Sequence, residues 1–205
     1  MNYQRLTADN AAILFIDYQT GLSTGIQDQS VPEYTIAVTA LAKIAKVFKL
    51  PSVFTTSDAD GPNGPILPIL PELLPNAPLV HRPGEINAWD NGDFVDAVKK
   101  TGRKKMIVAG VSTEVCVAFV SLSLIEEGYN VYAVIEASGT WNKLVQEVAV
   151  VRTVQAGVKP MTWVAVGAEI QADWRNPTEV EFGRVMGEHL PFYGCLIGSF
   201  LAQKV

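Results

Sequence analysis

The sequence is poor in the residues that most often hold metal ions and disulfides. Its 205 residues include two cysteines, Cys116 and Cys195, and two histidines, His81 and His189. The cysteines form no CxxC pair, so the sequence offers no zinc site of the Cys/His type. We therefore expect no metal and no cofactor. We also expect a cytoplasmic protein, in which both thiols stay reduced.

The sequence also lacks long runs of positive charge and long apolar segments. It has 16 basic and 21 acidic side chains, and its longest basic run is Arg103-Lys104-Lys105. Such a surface does not attract nucleic acid or an anionic membrane. No apolar run approaches the roughly 18 residues of a membrane span, and the N-terminal segment does not resemble a secretory leader. We expect neither nucleic acid nor a membrane as a partner.

Charged residues are scarce overall. They make up 18% of the chain, while 48% of the residues are hydrophobic and the mean hydropathy is +0.19. A chain of this length can bury a core without disulfides, and we expect a single domain over residues 1–205. The apolar excess predicts that part of the surface is covered by subunit contacts, so we expect a homo-oligomer.

Short apolar runs alternate with helical patterns along the chain. The runs have the composition of strands buried on both faces of a sheet. We predict six strands, at Ala11 to Ile16, Ser52 to Thr56, Leu79 to His81, Met106 to Val111, Val131 to Ile135 and Met161 to Val166. The clearest helical patterns run from Glu33 to Leu50, Asp90 to Thr101, Thr113 to Glu127 and Lys143 to Ala156.

This alternation predicts an α/β fold with three layers, in which a Rossmann-like six-stranded parallel sheet lies between two layers of helices. The helices predicted at 113–127 and 143–156 are apolar nearly all round, so they must be covered on most sides, in the core or in an interface. The apolar segment 192–201 is expected to pack against a neighbour.

Three polar residues follow predicted strands closely, at Asp17, Arg82 and Cys116. Ligands of open α/β sheets bind outside the carboxyl ends of the strands, so these side chains are the first candidates for a site. Cys116 falls in the first turn of a predicted helix, where backbone N–H groups favour a thiolate. Asp17 fits a general base, and Arg82 can stabilise negative charge but cannot shuttle a proton.

Each candidate also has a purely structural interpretation. A free cysteine on an apolar helix is often simply buried, an aspartate often caps a turn, and an arginine often forms an ordinary ion pair. The sequence contains no GxGxxG after the first strand and no GxxxxGK[ST], which argues against dinucleotide and P-loop sites. Asp58-Ala59-Asp60 is more typical of a solvated turn than of a cation site.

Taken together, these residues resemble a known family over essentially the whole chain. Phe15-Ile16-Asp17-Tyr18-Gln19, His81-Arg82-Pro83 and Ala109 to Val117 (AGVSTEVCV) are similar to the isochorismatase-like cysteine hydrolases. Two further segments, Arg82 to Asn91 (RPGEINAWDN) and Asp173-Trp174-Arg175-Asn176, resemble the YcaC-related branch, whose substrates are unassigned.

The resemblance implies roles for individual residues. It makes Asp17 the catalytic acid and base, Cys116 the nucleophile, and Arg82 the third catalytic residue, at a position where most of the superfamily has lysine. It also implies a cis peptide at Val111-Ser112, with the N–H groups of Ser112 and Cys116 forming an oxyanion hole. Because arginine does not lose its proton, only an electrostatic role is expected for Arg82.

The resemblance also narrows the reaction. True isochorismatases lack the nucleophilic cysteine, so Cys116 points to the C–N bond of a small amide or carbamoyl compound. Nicotinamidases carry Asp-x-His after the second strand, whereas this chain has Asp58-Ala59-Asp60, and we expect no metal. Related proteins form tetramers or octamers, and the same is expected here.

The substrate pocket is assigned less directly. Asn87 and Trp89 are predicted to line it, with Tyr18 and Gln19 as further candidates. The substrate is expected to be a small molecule of unknown identity. Two alternatives stay open: a thiol protein that responds to oxidation, and an inactive oligomeric scaffold with the same fold.

Overall fold

The computed structural model describes residues 5–203 of the chain, which fold as strands alternating with helices. The strands are β1 (Ala11–Ile16), β2 (Ser52–Ser57), β3 (Leu79–Arg82), β4 (Lys105–Gly110), β5 (Asn130–Val134) and β6 (Lys159–Met161). The α-helices are α1 (Thr20–Ser23), α2 (Val31–Val47), α3 (Ile69–Leu73), α4 (Gly92–Lys100), α5 (Ala118–Glu126), α6 (Lys143–Gln155), α7 (Trp163–Gln171), α8 (Glu179–His189) and α9 (Pro191–Ala202). A 3₁₀ turn covers Ala88–Asp90, and a π-helical turn covers Thr113–Val117.

The sheet is parallel throughout, in the order β3-β2-β1-β4-β5-β6. The central strand β1 pairs with β2 on one side and β4 on the other, so that Ile13 lies opposite both Ser52 and Ile107. From β1 to β3 the strands are added in one direction, and from β4 to β6 in the other. The carboxyl ends of β1 and β4 therefore border the crevice where open α/β sheets bind their ligands.

Helices cover both faces of the sheet, because alternate side chains of each strand point to opposite sides. On β1, Ile13 and Phe15 pack with buried residues of α2, α7 and α8. Leu14 and Ile16 face the other way and pack with buried residues of α4 and α5. The predicted three-layer fold with six parallel strands is confirmed.

The sixth strand is the main error of the sequence-based prediction. Residues 161–166 were expected to form it, whereas β6 covers Lys159–Met161 and α7 begins at Trp163. The Thr162 side chain accepts a hydrogen bond from the Ala165 N–H at 3.2 Å and caps the helix. A short apolar run does not distinguish a strand from a buried helical turn, and here the threonine cap decides between them.

The helix predicted at 143–156 and the apolar segment predicted at 192–201 are little covered within this chain. In α6 the buried residues are Ala149 and Thr153, while Leu144, Val148 and Val151 are exposed. In α9 no residue is buried. The described part of the chain thus leaves much of these two surfaces in solvent. Over the same residues, no helix combines the length and apolar character needed to span a bilayer.

Gly110, at the end of β4, lies directly against the backbone of β1. A Cβ atom placed on it would come within 2.0 Å of the carbonyl oxygen of Ile16. Since backbone atoms cannot move aside as a side chain can, any larger residue would force β1 and β4 apart. These two strands carry Asp17 and the Cys116 turn, so the glycine also sets the spacing of the candidate site.

We predict that Gly110→Ala lowers the free energy of unfolding by about 1–3 kcal/mol, the usual range for inserting a methyl group into packed space. Urea denaturation at a fixed protein concentration measures the change. Gly92→Ala serves as the matched control, because apart from its chain neighbours and the backbone of its own helix nothing lies within 4 Å of the position that its Cβ would take. Equal stability of the two variants would contradict the steric argument.

Candidate active site

Asp17, Arg82 and Cys116 meet at the carboxyl edge of the sheet. Asp17 directly follows β1, Arg82 ends β3, and Cys116 lies in the π-helical turn after β4. The carboxylate of Asp17 is hydrogen-bonded to the Arg82 guanidinium and to the Cys116 thiol. The structure therefore brings together the three residues that the sequence suggested as catalytic.

The backbone holds Asp17 in an unusual conformation. Its φ of 52° lies in the left-handed region, which aspartate tolerates better than most residues. Its N–H donates to the Thr55 carbonyl at 3.0 Å, and its own carbonyl accepts from the Gln19 N–H at 2.7 Å. The chain turns sharply at this point, and the carboxylate lies at the end of the strand with no exposed surface.

Arg82 compensates the buried charge of Asp17. Its Nη2 donates to both carboxylate oxygens, with 2.6 Å to Oδ2. Its Nε donates to the Thr55 hydroxyl at 3.0 Å, and its Nη1 donates to the carbonyls of Glu85 and Ile86. Arg82 is itself buried, with 2% of its surface exposed. A buried charge of either sign is stable only when it is paired and hydrogen-bonded. Here Arg82 provides the positive charge and the N–H donors, and Asp17 provides the negative charge and the acceptors.

The length and shape of arginine suit this position. β2 lies between β3 and β1, so the side chain must cross two strand spacings, about 10 Å, to reach the carboxylate. On the way its guanidinium contacts the Thr55 side chain, which belongs to β2. Lysine, with a compact ammonium and three donors, could not make the same set of bonds.

The environment of Cys116 favours the neutral thiol. Burial, the negative charge of Asp17 and the hydrogen bond to it raise the pKa of Cys116 well above its ordinary value. The Ser112 N–H and the positive charge of Arg82 act in the opposite direction but are weaker. The expected thiolate at a helix N-terminus is therefore wrong for the free protein, because burial and the carboxylate outweigh the helix end. In the free protein the thiol keeps its proton and donates a hydrogen bond to Asp17.

Asp17 is placed to receive that proton. Burial raises the pKa of its carboxyl, and the Arg82 guanidinium and the thiol hydrogen bond offset part of the rise. A carboxylate with a raised pKa is a stronger base than one in water. The carboxylate is therefore placed to act as the base for the thiol.

Ser112 lies directly against the sulfur. It caps the π-helical turn, and its N–H forms a hydrogen bond to the Cys116 thiol. The peptide bond between Val111 and Ser112 is cis. Cys116 is partly exposed, whereas Asp17 and Arg82 are buried. A ligand therefore reaches the three residues from the side of the sulfur.

A second hydrogen-bond network, which the sequence analysis missed, holds the turn that carries Cys116. The Glu114 carboxylate accepts from the Thr140 hydroxyl at 2.6 Å, and the Thr140 N–H donates to Asp28 at 2.9 Å. The second oxygen of Asp28 accepts from the Gln146 amide of α6 at 2.6 Å. Burial raises the pKa of Asp28, and these hydrogen bonds offset part of the rise.

Two of the predicted pocket residues are structural in this fold. Tyr18 has no exposed surface, and its hydroxyl donates to the Ala137 carbonyl. Gln19 is also fully buried, and its amide binds the backbone of Ser57 (2.9 and 3.0 Å) and Gly64 (2.6 Å). Their polar atoms are all engaged, so we do not place either side chain in the wall of the pocket.

The other two predicted pocket residues anchor a loop. The side-chain Oδ1 of Asn87 accepts from the Trp89 N–H at 3.1 Å, and its Nδ2 donates to the Ser123 hydroxyl of α5 at 3.0 Å. The Trp89 ring packs edge-on against Phe94 and Tyr129. Ser123 lies seven residues beyond Cys116, so these contacts fix the loop after β3 to the far part of α5 and not to the sulfur.

Two other segments have compositions that suggest sites. Gly21 to Gly25 spells GxSxG, but the Ser23 hydroxyl donates to the Gln19 carbonyl at 2.8 Å and has no histidine partner, so it is not a nucleophile elbow. A cleft of about 490 Å³ is lined by residues 58–60 and 81–83. Over residues 5–203, no three His, Cys, Asp or Glu side chains are grouped as metal ligands would be.

Comparison with known proteins gives consistent matches. Residues 11–165 match the model of the isochorismatase domain. The probable hydrolase YcaC of Escherichia coli K12 is 47% identical over 198 residues, which cover 97% of this chain and 95% of that protein.

Two solved structures are similar over nearly their full length. YcaC from Pseudomonas aeruginosa, with hexane-2,5-diol and covalent acrylamide, is 52% identical, with a TM-score of 0.95 and 98% of each chain covered. YcaC from E. coli, described as an octameric hydrolase of unknown specificity, is 46% identical, with a TM-score of 0.97 and 99% of each chain covered.

We predict that Thr55→Val lowers the free energy of unfolding by about 1–3 kcal/mol, because it leaves the buried Nε of Arg82 without an acceptor. It should also change the pH profile of Cys116 alkylation, since the guanidinium is no longer held in its plane beside Asp17. Thr55→Ser keeps the hydroxyl and should stay close to wild type in both measurements. Identical behaviour of the valine and serine variants would contradict a role for the hydroxyl.

We predict that Asp17→Asn moves the onset of Cys116 alkylation by iodoacetamide to lower pH. The carboxylate raises the pKa of the thiol, so its neutral replacement lowers that pKa and increases the thiolate fraction at a given pH. Peptide mass spectrometry from about pH 5 to 10 measures the shift, with the exposed Cys195 as internal reference. An onset that stays in place or moves to higher pH would disprove the coupling.

Proposed function

The chain belongs to the isochorismatase family of hydrolases, and from this premise we propose that it cleaves the C–N bond of a small amide or carbamoyl compound without a metal ion. One observation carries the proposal: the Cys116 thiol donates a hydrogen bond to a carboxylate that Arg82 holds in place. This arrangement of nucleophile, base and orienting group is typical of acyl transfer.

In the first step, Asp17 takes the thiol proton while the sulfur attacks the carbonyl carbon of the substrate. The resulting oxyanion accepts hydrogen bonds from the N–H groups of Ser112 and Cys116, which stabilise it in the transition state. The C–N bond then breaks, and Asp17 returns the proton to the leaving nitrogen. The products of this step are an amine or ammonia and a thioester on Cys116.

In the second step, water hydrolyses the thioester. The water oxygen attacks the same carbonyl carbon while Asp17 accepts a proton from the water. The N–H groups of Ser112 and Cys116 again donate hydrogen bonds to the oxyanion. The C–S bond breaks, the sulfur recovers the proton from Asp17, and the acid product leaves. One residue serves as base and then as acid in each step, which requires a carboxyl whose pKa lies near the working pH.

The raised pKa of the thiol is compatible with this mechanism. A neutral thiol that already donates to its base loses its proton as the S–C bond forms, so no free thiolate has to be maintained. The Arg82 guanidinium keeps its proton throughout and holds Asp17 in the right orientation. Arg82 thus acts on the carboxylate through charge and geometry, and takes no part in proton transfer.

The covalent acrylamide in P. aeruginosa YcaC supports a nucleophile in this fold. Acrylamide is a small primary amide that also alkylates thiols, so it fits a pocket built around a cysteine and an amide substrate. A sensor thiol would instead be expected to have a low pKa. Burial and Asp17 raise the pKa of Cys116, which favours the hydrolase over the redox alternative.

We further propose that residues 1–205 form one domain and that the protein assembles as a tetramer or octamer. The terminal residues 1–4 and 204–205 of that domain lie outside the described part of the chain. The octameric E. coli YcaC supports the assembly, as do the exposed apolar surfaces of α6 and α9. A small-molecule substrate fits the partly exposed sulfur and the buried position of the other two residues.

We predict that Cys116→Ser lowers kcat for any amide that the protein hydrolyses by about 10³-fold or more, because both steps pass through the sulfur. A panel of small primary amides and carbamoyl compounds, scored by ammonia release, identifies the substrate. Mass spectrometry of the quenched enzyme should show the acyl group on the peptide that contains Cys116.

Cys195→Ser is the matched control for that experiment, because it removes the other thiol, which is exposed on α9. It should keep wild-type turnover. Turnover that survives Cys116→Ser, or an acyl group found on Cys195, would overturn the proposed mechanism.

A further inference from the structure

One face of α6 is apolar and exposed. Leu144, Val148 and Val151 are 57–68% exposed, and Val154 extends the same face. Their spacing of four, three and three residues places them in one stripe along the helix. The opposite face packs into the protomer through Ala149 and Thr153. The exposed Glu147 and Gln155 lie on the same side of the helix, so the stripe is an apolar patch with polar residues beside it, which is typical of an interaction site.

The same helix supports the turn that carries Cys116. α6 packs against the π-helical turn and against α5, where the Arg152 guanidinium lies 5.4 Å from the centre of the Phe119 ring. Its Gln146 amide also begins the hydrogen-bond chain through Asp28 and Thr140 to Glu114. Glu114 is two residues from Cys116, so the position of α6 is linked to the position of the sulfur by direct contacts.

We propose that the apolar face of α6 is a contact with a second copy of this chain, and that this contact holds the catalytic turn in place. The proposal rests on the assembly and the site proposed above. The occupant is a second copy because the assembly proposed above is built from identical chains, whose contacts are made by their own exposed surfaces. The chain has two such surfaces in separate places, one on α6 and one on α9.

The two surfaces have different relations to the site. α9 packs against α8, on the side of the sheet opposite to α4 and α5. Among the described residues no backbone hydrogen bond joins it to the π-helical turn. A contact through α9 can therefore add subunits without affecting Cys116. A contact through α6 instead fixes the position of the helix that packs against the π-helical turn.

The central test is the double variant Val148→Asp/Val151→Asp, which places two charges in the α6 face. Light scattering coupled to size exclusion should show a smaller assembly than wild type. Without the neighbour the turn loosens, so alkylation of Cys116 by iodoacetamide at about pH 8 should rise by about 2- to 30-fold, the usual range of coupling between linked sites. Circular dichroism checks that the variant is folded, and the milder Val151→Ser should move both measurements in the same direction.

Two further variants separate assembly from support of the turn. Gln146→Met cuts the hydrogen bond to Asp28 but leaves the apolar face intact, so it should keep the wild-type mass and still raise the alkylation rate. Leu196→Asp changes the α9 surface, where Leu196 is 57% exposed, and should lower the mass while the alkylation rate stays at the wild-type value.

An unchanged mass for Val148→Asp/Val151→Asp would show that the α6 face is not a subunit contact. A smaller assembly with an unchanged alkylation rate would show that the contact does not support the turn. Neither measurement needs a substrate, so a wild-type protein that hydrolyses no amide would overturn the proposed function while leaving this test intact.

Discussion

The buried ion pair between Asp17 and Arg82 is the interaction on which the site depends. Both side chains lie out of solvent, and neither charge would be stable there alone. Because the pair joins the ends of β1 and β3 across β2, it couples three strands of the sheet at their carboxyl edge. Burial raises the pKa of the Cys116 thiol, and the carboxylate that this pair fixes raises it further and accepts the thiol's hydrogen bond.

Much of this arrangement could be predicted from the sequence, because it follows from periodicity and topology. Apolar runs located five of the six strands, with errors of one residue at their ends. Parallel strands bring their carboxyl ends to one edge, so Asp17, Arg82 and Cys116, each close to such an end, could be placed together before their contacts were known. The order of the strands around β1 then sets the distance that Arg82 has to cross.

The errors concern properties that depend on side-chain environment. The apolar segment that contains Trp163 fits a strand and a helix equally well, and only the helix cap at Thr162 decides between the two. Burial and the Asp17 carboxylate raise the pKa of Cys116, whereas N–H groups at the start of the turn lower it. Sequence spacing alone does not reveal which effect is larger. Gln19 lies close to Asp17 in sequence, yet its amide is directed into the backbone of a neighbouring strand.

The way Arg82 is held also limits how this position can change over time. Its guanidinium N–H groups serve the Thr55 hydroxyl, two loop carbonyls and both oxygens of Asp17. A lysine here would leave the Ile86 carbonyl without this donor and the Glu85 carbonyl with only the Ser57 hydroxyl at 3.5 Å, so a viable exchange requires the loop after β3 to change as well. Descendants of an arginine-bearing ancestor would then keep the arginine together with its loop, and the two should be inherited as one unit.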